Sequence, residues 1–144
     1  MELINSILGF LIAIGILVTF HEYGHFIVAR LCNVKVLKFS VGFGKTIVKY
    51  HSNKNTTEYS LCAIPLGGYV QMLESKNSEG EKNEINEDDY QYCFDRKNVY
   101  QRFAIVAAGP IFNLILAIIF FTMTYMNGIG RIKPTIKLQD NDEY

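Results

Sequence analysis

Residues 3–20 read LINSILGFLIAIGILVTF, a run of eighteen positions without a charged side chain. That length is enough for a helix to cross the hydrocarbon core of a bilayer. The apolar pattern continues to Ala29, and Arg30 ends it. A helix from Leu3 to Ala29 would be about 40 Å long at ~1.5 Å per residue, so it should tilt or protrude. We predict a first membrane helix over residues 1–30.

A second charge-free run covers residues 103–126, FAIVAAGPIFNLILAIIFFTMTYM. It predicts a second membrane helix over residues 103–127. Gly109 and Pro110 interrupt its first half, which a membrane helix tolerates when neighbours satisfy the freed backbone groups. The predicted fold class is therefore membrane α-helical, with two transmembrane helices. The net charge of +0 gives no reason to expect nucleic acid as a partner.

The basic residues of the connection predict its side of the membrane. Those nearest to the two spans are Arg30, Lys35, Lys38, Lys45, Lys49, Arg96, Lys97 and Arg102. By the positive-inside bias, the connection is cytoplasmic and the N terminus is outside. Residues 128–144 are then an extracytoplasmic tail, although the basic residues Arg131, Lys133 and Lys137 pull weakly the other way.

The first part of the connection, residues 31–73, predicts a membrane-associated β region. The β-rich runs 46–50 (TIVKY) and 57–64 (TEYSLCAI) flank a turn signal at residues 52–55, which indicates a β-hairpin. Two further segments are glycine-rich and apolar: FSVGFG (39–44) and IPLGGYVQM (64–72). Such segments can lie against or dip into a bilayer when protein covers their backbone.

Residues 74–102 have a different composition. The stretch 74–95 is rich in carboxylates, Asn and Ser, and predicts a solvated or disordered cytoplasmic loop. A short amphipathic segment follows it and leads into the second span.

The first span ends in the motif His21-Glu22-Tyr23-Gly24-His25. Histidines four apart lie on one face of a helix, one turn from each other, so both can donate a ring nitrogen to one Zn²⁺. Glu22 can reach a metal-bound water as its general base, and zinc lowers the pKa of such a water towards ~7. We predict His21 and His25 as metal ligands and Glu22 as the catalytic residue.

The motif by itself is also compatible with roles that involve no zinc. A five-residue string of this kind arises by chance in many proteins, and three buried polar residues can form a structural network. Ligation of haem by the two histidines would leave Glu22 unexplained. The membrane context favours a functional site, because an ionisable residue near the bilayer centre costs at least ~2.5–3.5 kcal/mol.

Three blocks of sequence carry a family resemblance. HEYGHFIVARLCNVKVLKFSVGFGK (21–45), EYSLCAIPLGGYVQM (58–72) and RKNVYQRFAIVAAGPIFNLILAIIFF (96–121) resemble the N-terminal part of the site-2 protease family of intramembrane zinc metalloproteases. The similarity runs from about residue 5 to about residue 128, and is weakest over 74–95. Agreement of separate blocks in order and spacing is more specific than the short motif alone.

The resemblance implies roles for matched positions. His21 and His25 would be zinc ligands and Glu22 the catalytic base. Gly109 and Asn113 match a glycine-x-x-x-asparagine element of the second span. There the small residue permits close helix approach, or serves plain packing, and the Asn amide would support the active site or substrate. The β region would present the substrate as an extended strand.

The resemblance also implies a setting and a partner. It predicts a multi-pass protein of the bacterial inner membrane, in contact with lipid. The substrate would be a transmembrane protein such as a membrane-anchored anti-sigma factor. Family members continue into an extracytoplasmic region and a further span, whose Leu-Asp-Gly segment supplies the third zinc ligand. Asp140 and Asp142 are poor substitutes for it, since they lie in the tail.

Two functions follow from these observations. The first is an intramembrane zinc metalloendopeptidase, or its N-terminal portion, that hydrolyses a peptide bond within a transmembrane segment of a regulatory protein. The alternative is a catalytically incompetent membrane fragment that binds transmembrane helices. A small haem or metal carrier is a third hypothesis, which depends on the paired histidines alone. His51 matches no ligand position and is expected on the solvated surface.

Overall fold

A computed structural model describes residues 1–51, 57–76 and 85–128. Along the chain lie helix α1 (Glu2–Leu31), strands β1 (Val36–His51) and β2 (Glu58–Met72), two short 3-10 helices (Glu87–Tyr92 and Phe94–Arg96) and helix α2 (Val99–Met126). The predicted turn at 52–55 and the tail with Asp140 and Asp142 lie outside the described residues.

Helix α1 is continuous through the metal-ligand motif and ends just after it. Arg30 occupies the last turn, where a positive charge interacts favourably with the helix dipole. Asn33 then adopts a left-handed φ of 54°, and the amide of Val34 donates to the carbonyl of Ala29 at 2.9 Å. Asn tolerates this conformation better than other residues with side chains, so it ends the helix sharply.

Helix α2 begins before the apolar run that predicted it. Asn98 caps the helix: its side chain accepts from the amide of Gln101 at 3.1 Å, and the Gln101 side chain accepts from the amide of Asn98 at 3.4 Å. This reciprocal capping box starts the helix at Val99 rather than at residue 103. The helix also continues through Pro110. The helix thus includes residues 99–102, one turn before the predicted span at 103–127.

Both long helices have the length and composition of membrane spans. Their most apolar windows have mean hydropathies of 2.4 in α1 and 2.5 in α2. In α1 none of that window is buried, and in α2 the buried share is 22%.

The two strands pair as an antiparallel sheet that is more extensive than the predicted hairpin. Residues 36–41 pair antiparallel with residues 68–72, and residues 46–51 pair antiparallel with 58–62. Residues 38–41 also lie beside 58–61, where the paired residues advance in the same direction. Each strand thus bends once and contributes two pairing segments. We call residues 68–72 the edge segment, since it lies at one margin of the sheet.

The bend in β1 requires glycine. Gly42 and Gly44 have φ values of 86° and 83°, a region that side-chain-bearing residues rarely adopt. A Cβ on Gly42 would also lie 2.8 Å from the carbonyl oxygen of Ile64. The glycine-rich segments 39–44 and 64–72 are therefore integral to the sheet, whereas their composition alone predicted only a membrane-associated region.

A small core joins the helices to the sheet. Ala29, Val34, Val36 and Ile105 are buried, and Phe94 is among the side chains that pack against them. Burial of a side chain such as Ile105 contributes about 1.5–3 kcal/mol to folding. This core fixes the end of α1 beside the start of α2.

Within the stretch 74–95, which was predicted to be a solvated or disordered loop, residues 74–76 and 85–95 are described and make defined contacts. The amide of Phe94 donates to the carbonyl of Leu73 at 2.8 Å, and Lys35 pairs with Asp89 at 2.8 Å. The hydroxyl and amide of Ser75 donate to the carboxylate of Asp95. Local composition does not reveal these contacts, because their partners lie far away in the sequence.

Candidate active site

The two histidines of the motif face each other at the helix surface. The Nε2 atoms of His21 and His25 lie 3.3 Å apart, and both rings are half-buried. Two nitrogens bound to one tetrahedral zinc ion at ~2.0–2.1 Å would be about 3.3 Å apart. The spacing of the ring nitrogens therefore suits a shared metal ion.

The far side of the His25 ring is anchored by the backbone of α2. Its Nδ1 lies 2.7 Å from the carbonyl oxygen of Ile105. Because a carbonyl only accepts hydrogen bonds, Nδ1 carries the proton and donates it. In the neutral ring Nε2 then has a free lone pair, which is the form that binds metals.

The far side of the His21 ring meets the side chain of Asn113, whose Nδ2 lies 3.1 Å from Nδ1 of His21. The other polar atom of this amide, Oδ1, is buried and has no hydrogen-bond partner among the described residues. The structure thus places the Asn113 side chain beside the motif.

Gly109 lies one turn before Asn113 on α2 and faces the same two rings. A Cβ at Gly109 would collide with Nε2 of His25 and would lie 2.7 Å from Nε2 of His21. The missing side chain therefore leaves space where the two ligand nitrogens converge.

Gly24 sets the distance between the helices at this point. A Cβ on Gly24 would lie 2.6 Å from the carbonyl oxygen of Ala108, which is backbone and cannot move aside. The absence of side chains at Gly24 and Gly109 allows α1 and α2 to approach closely enough for His21 to contact Asn113.

Glu22 lies on the sheet side of α1, half-buried against the edge segment. A Cβ on Gly68 would lie 2.9 Å from Cγ of Glu22. A cleft of about 370 Å³ opens here; Glu22, His25, Gly68, Val70 and Phe94 are among its lining residues. The Glu22 carboxylate, the predicted ligand His25 and the edge segment therefore line one cleft, which is large enough to hold water.

The described ranges 1–51, 57–76 and 85–128 contain no group of three His, Cys, Asp or Glu side chains placed to hold a metal. The two imidazoles fit a zinc ion, but catalytic zinc normally has three protein ligands. The described residues therefore offer two candidate ligands, His21 and His25, for such a site.

His51 lies on the sheet, away from this site, as predicted. Its side chain is 61% exposed and its Nε2 lies 3.3 Å from the carboxylate of Glu58. Hydrogen bonds from Lys49 and Lys38 hold the pKa of Glu58 below its usual value. The cluster is a solvated set of ion pairs with small effects on stability.

Comparison with known proteins places the chain in a family. The family model for peptidase family M50 matches residues 9–140. The chain belongs to peptidase family M50. The chain is 50% identical over 133 residues to a Ralstonia nicotianae protein with zinc metalloprotease in its name. It is 42% identical over 137 residues to the Haemophilus influenzae regulator of sigma E protease, and 42% identical over 136 residues to the protease RseP of Yersinia pestis.

These alignments cover 91%, 95% and 94% of this chain, respectively, but only 29%, 30% and 29% of the relatives. The chain thus spans less than a third of the length of the M50 relatives it matches. Their names describe those whole proteins.

Two contributors to the site were not identified from the sequence. The carbonyl of Ile105 is a backbone group, and no residue type marks it as a ligand partner. Gly68 belongs to a glycine pair within a β-rich run, where a glycine often marks close approach of another group. That signal was present, but it does not say which group approaches.

Proposed function

We propose that this chain is an intramembrane zinc metalloendopeptidase of the bacterial inner membrane, or the N-terminal portion of one. The observation that carries the proposal is the 3.3 Å separation of the His21 and His25 Nε2 atoms, on a helix apolar enough to cross a membrane. Membership of peptidase family M50 and relatives named as zinc metalloproteases support it.

Each residue has a role in the proposed reaction. His21 and His25 would hold Zn²⁺, which when bound acidifies a water molecule and polarises the peptide carbonyl. The carboxylate of Glu22 accepts a proton from the attacking water and returns it to the departing amine nitrogen. Gly109 keeps the space between the imidazoles open, and Asn113 supports His21.

The edge segment is the proposed binding surface for the substrate. A transmembrane helix must unwind before a protease can attack its backbone, and an extended segment can add as a strand to an exposed sheet edge. Residues Gly68, Tyr69, Val70 and Met72 line the same cleft as Glu22. A strand added here would lie beside the catalytic carboxylate.

The depth of the sheet supports cleavage within the membrane. The part of β2 just before the edge segment reaches α1 at Gly15, where a Cβ would lie 3.7 Å from Cβ of Pro65. Gly15 precedes His21 by six residues, or about 9 Å along the helix. The hairpin would thus enter the bilayer beside α1, with the N terminus outside and the connection cytoplasmic.

The proposed substrate is a transmembrane segment of a regulatory protein, such as a membrane-anchored anti-sigma factor. Relatives named as regulators of sigma E protease support this assignment. The alternative is a fragment that binds transmembrane helices without hydrolysing them. The lack of a third ligand among the described residues favours it for this chain in isolation.

Zinc binding and cleavage separate the two functions. In the detergent-solubilised chain we expect near-stoichiometric zinc that is lost in His21→Ala and retained in Glu22→Gln. Cleavage of a model transmembrane substrate, by this chain or by a longer polypeptide that contains it, should be lost in both variants. Zinc-free protein, or cleavage that survives Glu22→Gln, would refute the proposed enzymatic function. Substrate binding without cleavage would support the alternative.

A further inference from the structure

The contacts of the two imidazoles allow two arrangements of protons. His25 carries its proton on Nδ1 in both, because that atom donates to Ile105 at 2.7 Å. The neutral ring of His21 can carry its proton on Nε2 and donate to Nε2 of His25, 3.3 Å away. Alternatively, it can carry the proton on Nδ1, provided that Asn113 turns its amide oxygen towards that atom in place of Nδ2.

Only the second arrangement permits both rings to bind a metal ion through Nε2. With the proton on Nε2, His21 has no lone pair at the place where the two nitrogens converge, and its Nδ1 accepts from the amide nitrogen of Asn113. With the proton on Nδ1, the facing group must be an acceptor. Asn113 therefore has to present Oδ1 instead of Nδ2.

The surroundings of Asn113 permit this exchange. The amide oxygen is buried but has no hydrogen-bond partner among the described residues. A 180° rotation of the carboxamide thus breaks one side-chain hydrogen bond, between Nδ2 and His21, and replaces it with one between Oδ1 and His21. A hydrogen bond to Oδ1 from another donor would have fixed the carboxamide in one orientation.

We propose that Asn113 is a positioning residue that selects the tautomer of His21, and that its carboxamide turns over when zinc binds. One proton leaves Nε2 of His21 and one is added to Nδ1, with water as the carrier, so the charge of the ring is unchanged. Asn113 donates to His21 before binding and accepts from it afterwards. The zinc part of this inference rests on the proposed function.

The affinity for zinc tests the positioning role. Partners of this kind typically contribute 10–100-fold to metal affinity, so Asn113→Leu should weaken Zn²⁺ binding by about that factor. Thr122→Val is the matched control: it removes a polar group from the same helix, where Thr122 donates only to the carbonyl of Ile118 at 2.8 Å. Unchanged affinity in Asn113→Leu would overturn the role.

Nitrogen NMR of ¹⁵N-histidine-labelled chain tests the exchange directly. The sequence has three histidines, so exposed His51 serves as an internal reference. We expect His25 to stay protonated on Nδ1, and His21 to change from Nε2–H to Nδ1–H on addition of Zn²⁺. A His21 ring already protonated on Nδ1 without zinc would overturn the proposed exchange.

The two proposals fail in different ways. If the chain binds no zinc, the metal centre of the proposed function fails, but the spectrum without zinc still reports whether Asn113 holds His21 in its Nε2–H form. Asn113→Leu should then produce a mixture of tautomers at His21. A His21 tautomer unaffected by Asn113→Leu would refute selection by the amide.

Discussion

Gly68 in the edge segment lies directly against the side chain of Glu22 in α1. A Cβ on Gly68 would come within 2.9 Å of Cγ of Glu22 and within 2.7 Å of the carbonyl oxygen of Ser40. The sheet therefore meets the proposed catalytic carboxylate through a residue with no side chain. This contact therefore sets the distance between Glu22 and a substrate strand that pairs with the edge segment.

We expect Gly68→Ala to impair cleavage while leaving zinc binding intact. The methyl group would clash with both the Ser40 carbonyl and the Glu22 side chain, so the edge segment and Glu22 must shift relative to each other. A displacement of about 1 Å at a catalytic group can cost 10²-fold in rate. Leu66→Ala, at a 54% exposed position of the same strand, is the control. The cleavage rate and the zinc content are measured on the same preparations. An equal fall of both in Gly68→Ala would contradict the prediction.

Gly109→Ala should have the complementary effect on the metal. Its methyl group would lie 2.7 Å from Nε2 of His21 and against Nε2 of His25, in the space that a shared ion needs. Overpacking of this kind costs about 1–3 kcal/mol, which corresponds to about 5–150-fold in affinity. Competition with a chelator measures the loss. Gly9→Ala in α1 should bind zinc normally, because its Cβ would meet nothing within 4 Å.

Gly24→Ala should destabilise the packing of α1 against α2. Its Cβ would lie 2.6 Å from a backbone carbonyl oxygen, so the helices would have to separate, at a cost of about 1–3 kcal/mol. Thermal unfolding in detergent would report this as a lower midpoint. Gly15→Ala is the matched control on the same helix, since its nearest neighbour would be at an ordinary 3.7 Å. Equal midpoints for the two variants would refute the prediction.

The sequence predicted the parts of this protein that local patterns determine. The charge-free runs indicated both long helices, and the i, i+4 spacing of His21 and His25 put the two rings on one face. The alignment of Gly109 with Asn113 came from resemblance and agrees with their positions beside those rings. The first two inferences needed no knowledge of a distant contact, whereas the third depended on the resemblance.

The parts that were missed depend on long-range pairing. Residues 36–41 have strand partners on both sides, but their own composition does not reveal the register. The conformation of residues 87–96 likewise depends on hydrogen bonds to Lys35, Leu73 and Ser75. The capping residue Asn98 was a readable local signal for the start of α2, which precedes the charge-free run by one turn.

The attachment of residues 87–96 should depend on pH through Asp95. Burial alone would raise the pKa of this carboxyl group, but hydrogen bonds from the side chain and backbone of Ser75 bring it below its usual value. The ionised form is therefore favoured by folding, and its contribution is present above the ordinary pKa of ~3.9 and lost as the pH falls through the lowered value.

Hydrogen exchange at the Ser75 amide, which donates to Asp95 at 2.9 Å, measures this attachment. We expect its protection factor to be constant from pH 7 to about pH 4 and to fall at lower pH. Asp95→Asn keeps an acceptor oxygen but does not titrate, so its protection should be weaker and independent of pH. A parallel fall in both proteins would show that another group controls the segment. Because Phe94 lines the cleft beside Glu22, release of this segment should also open the cleft.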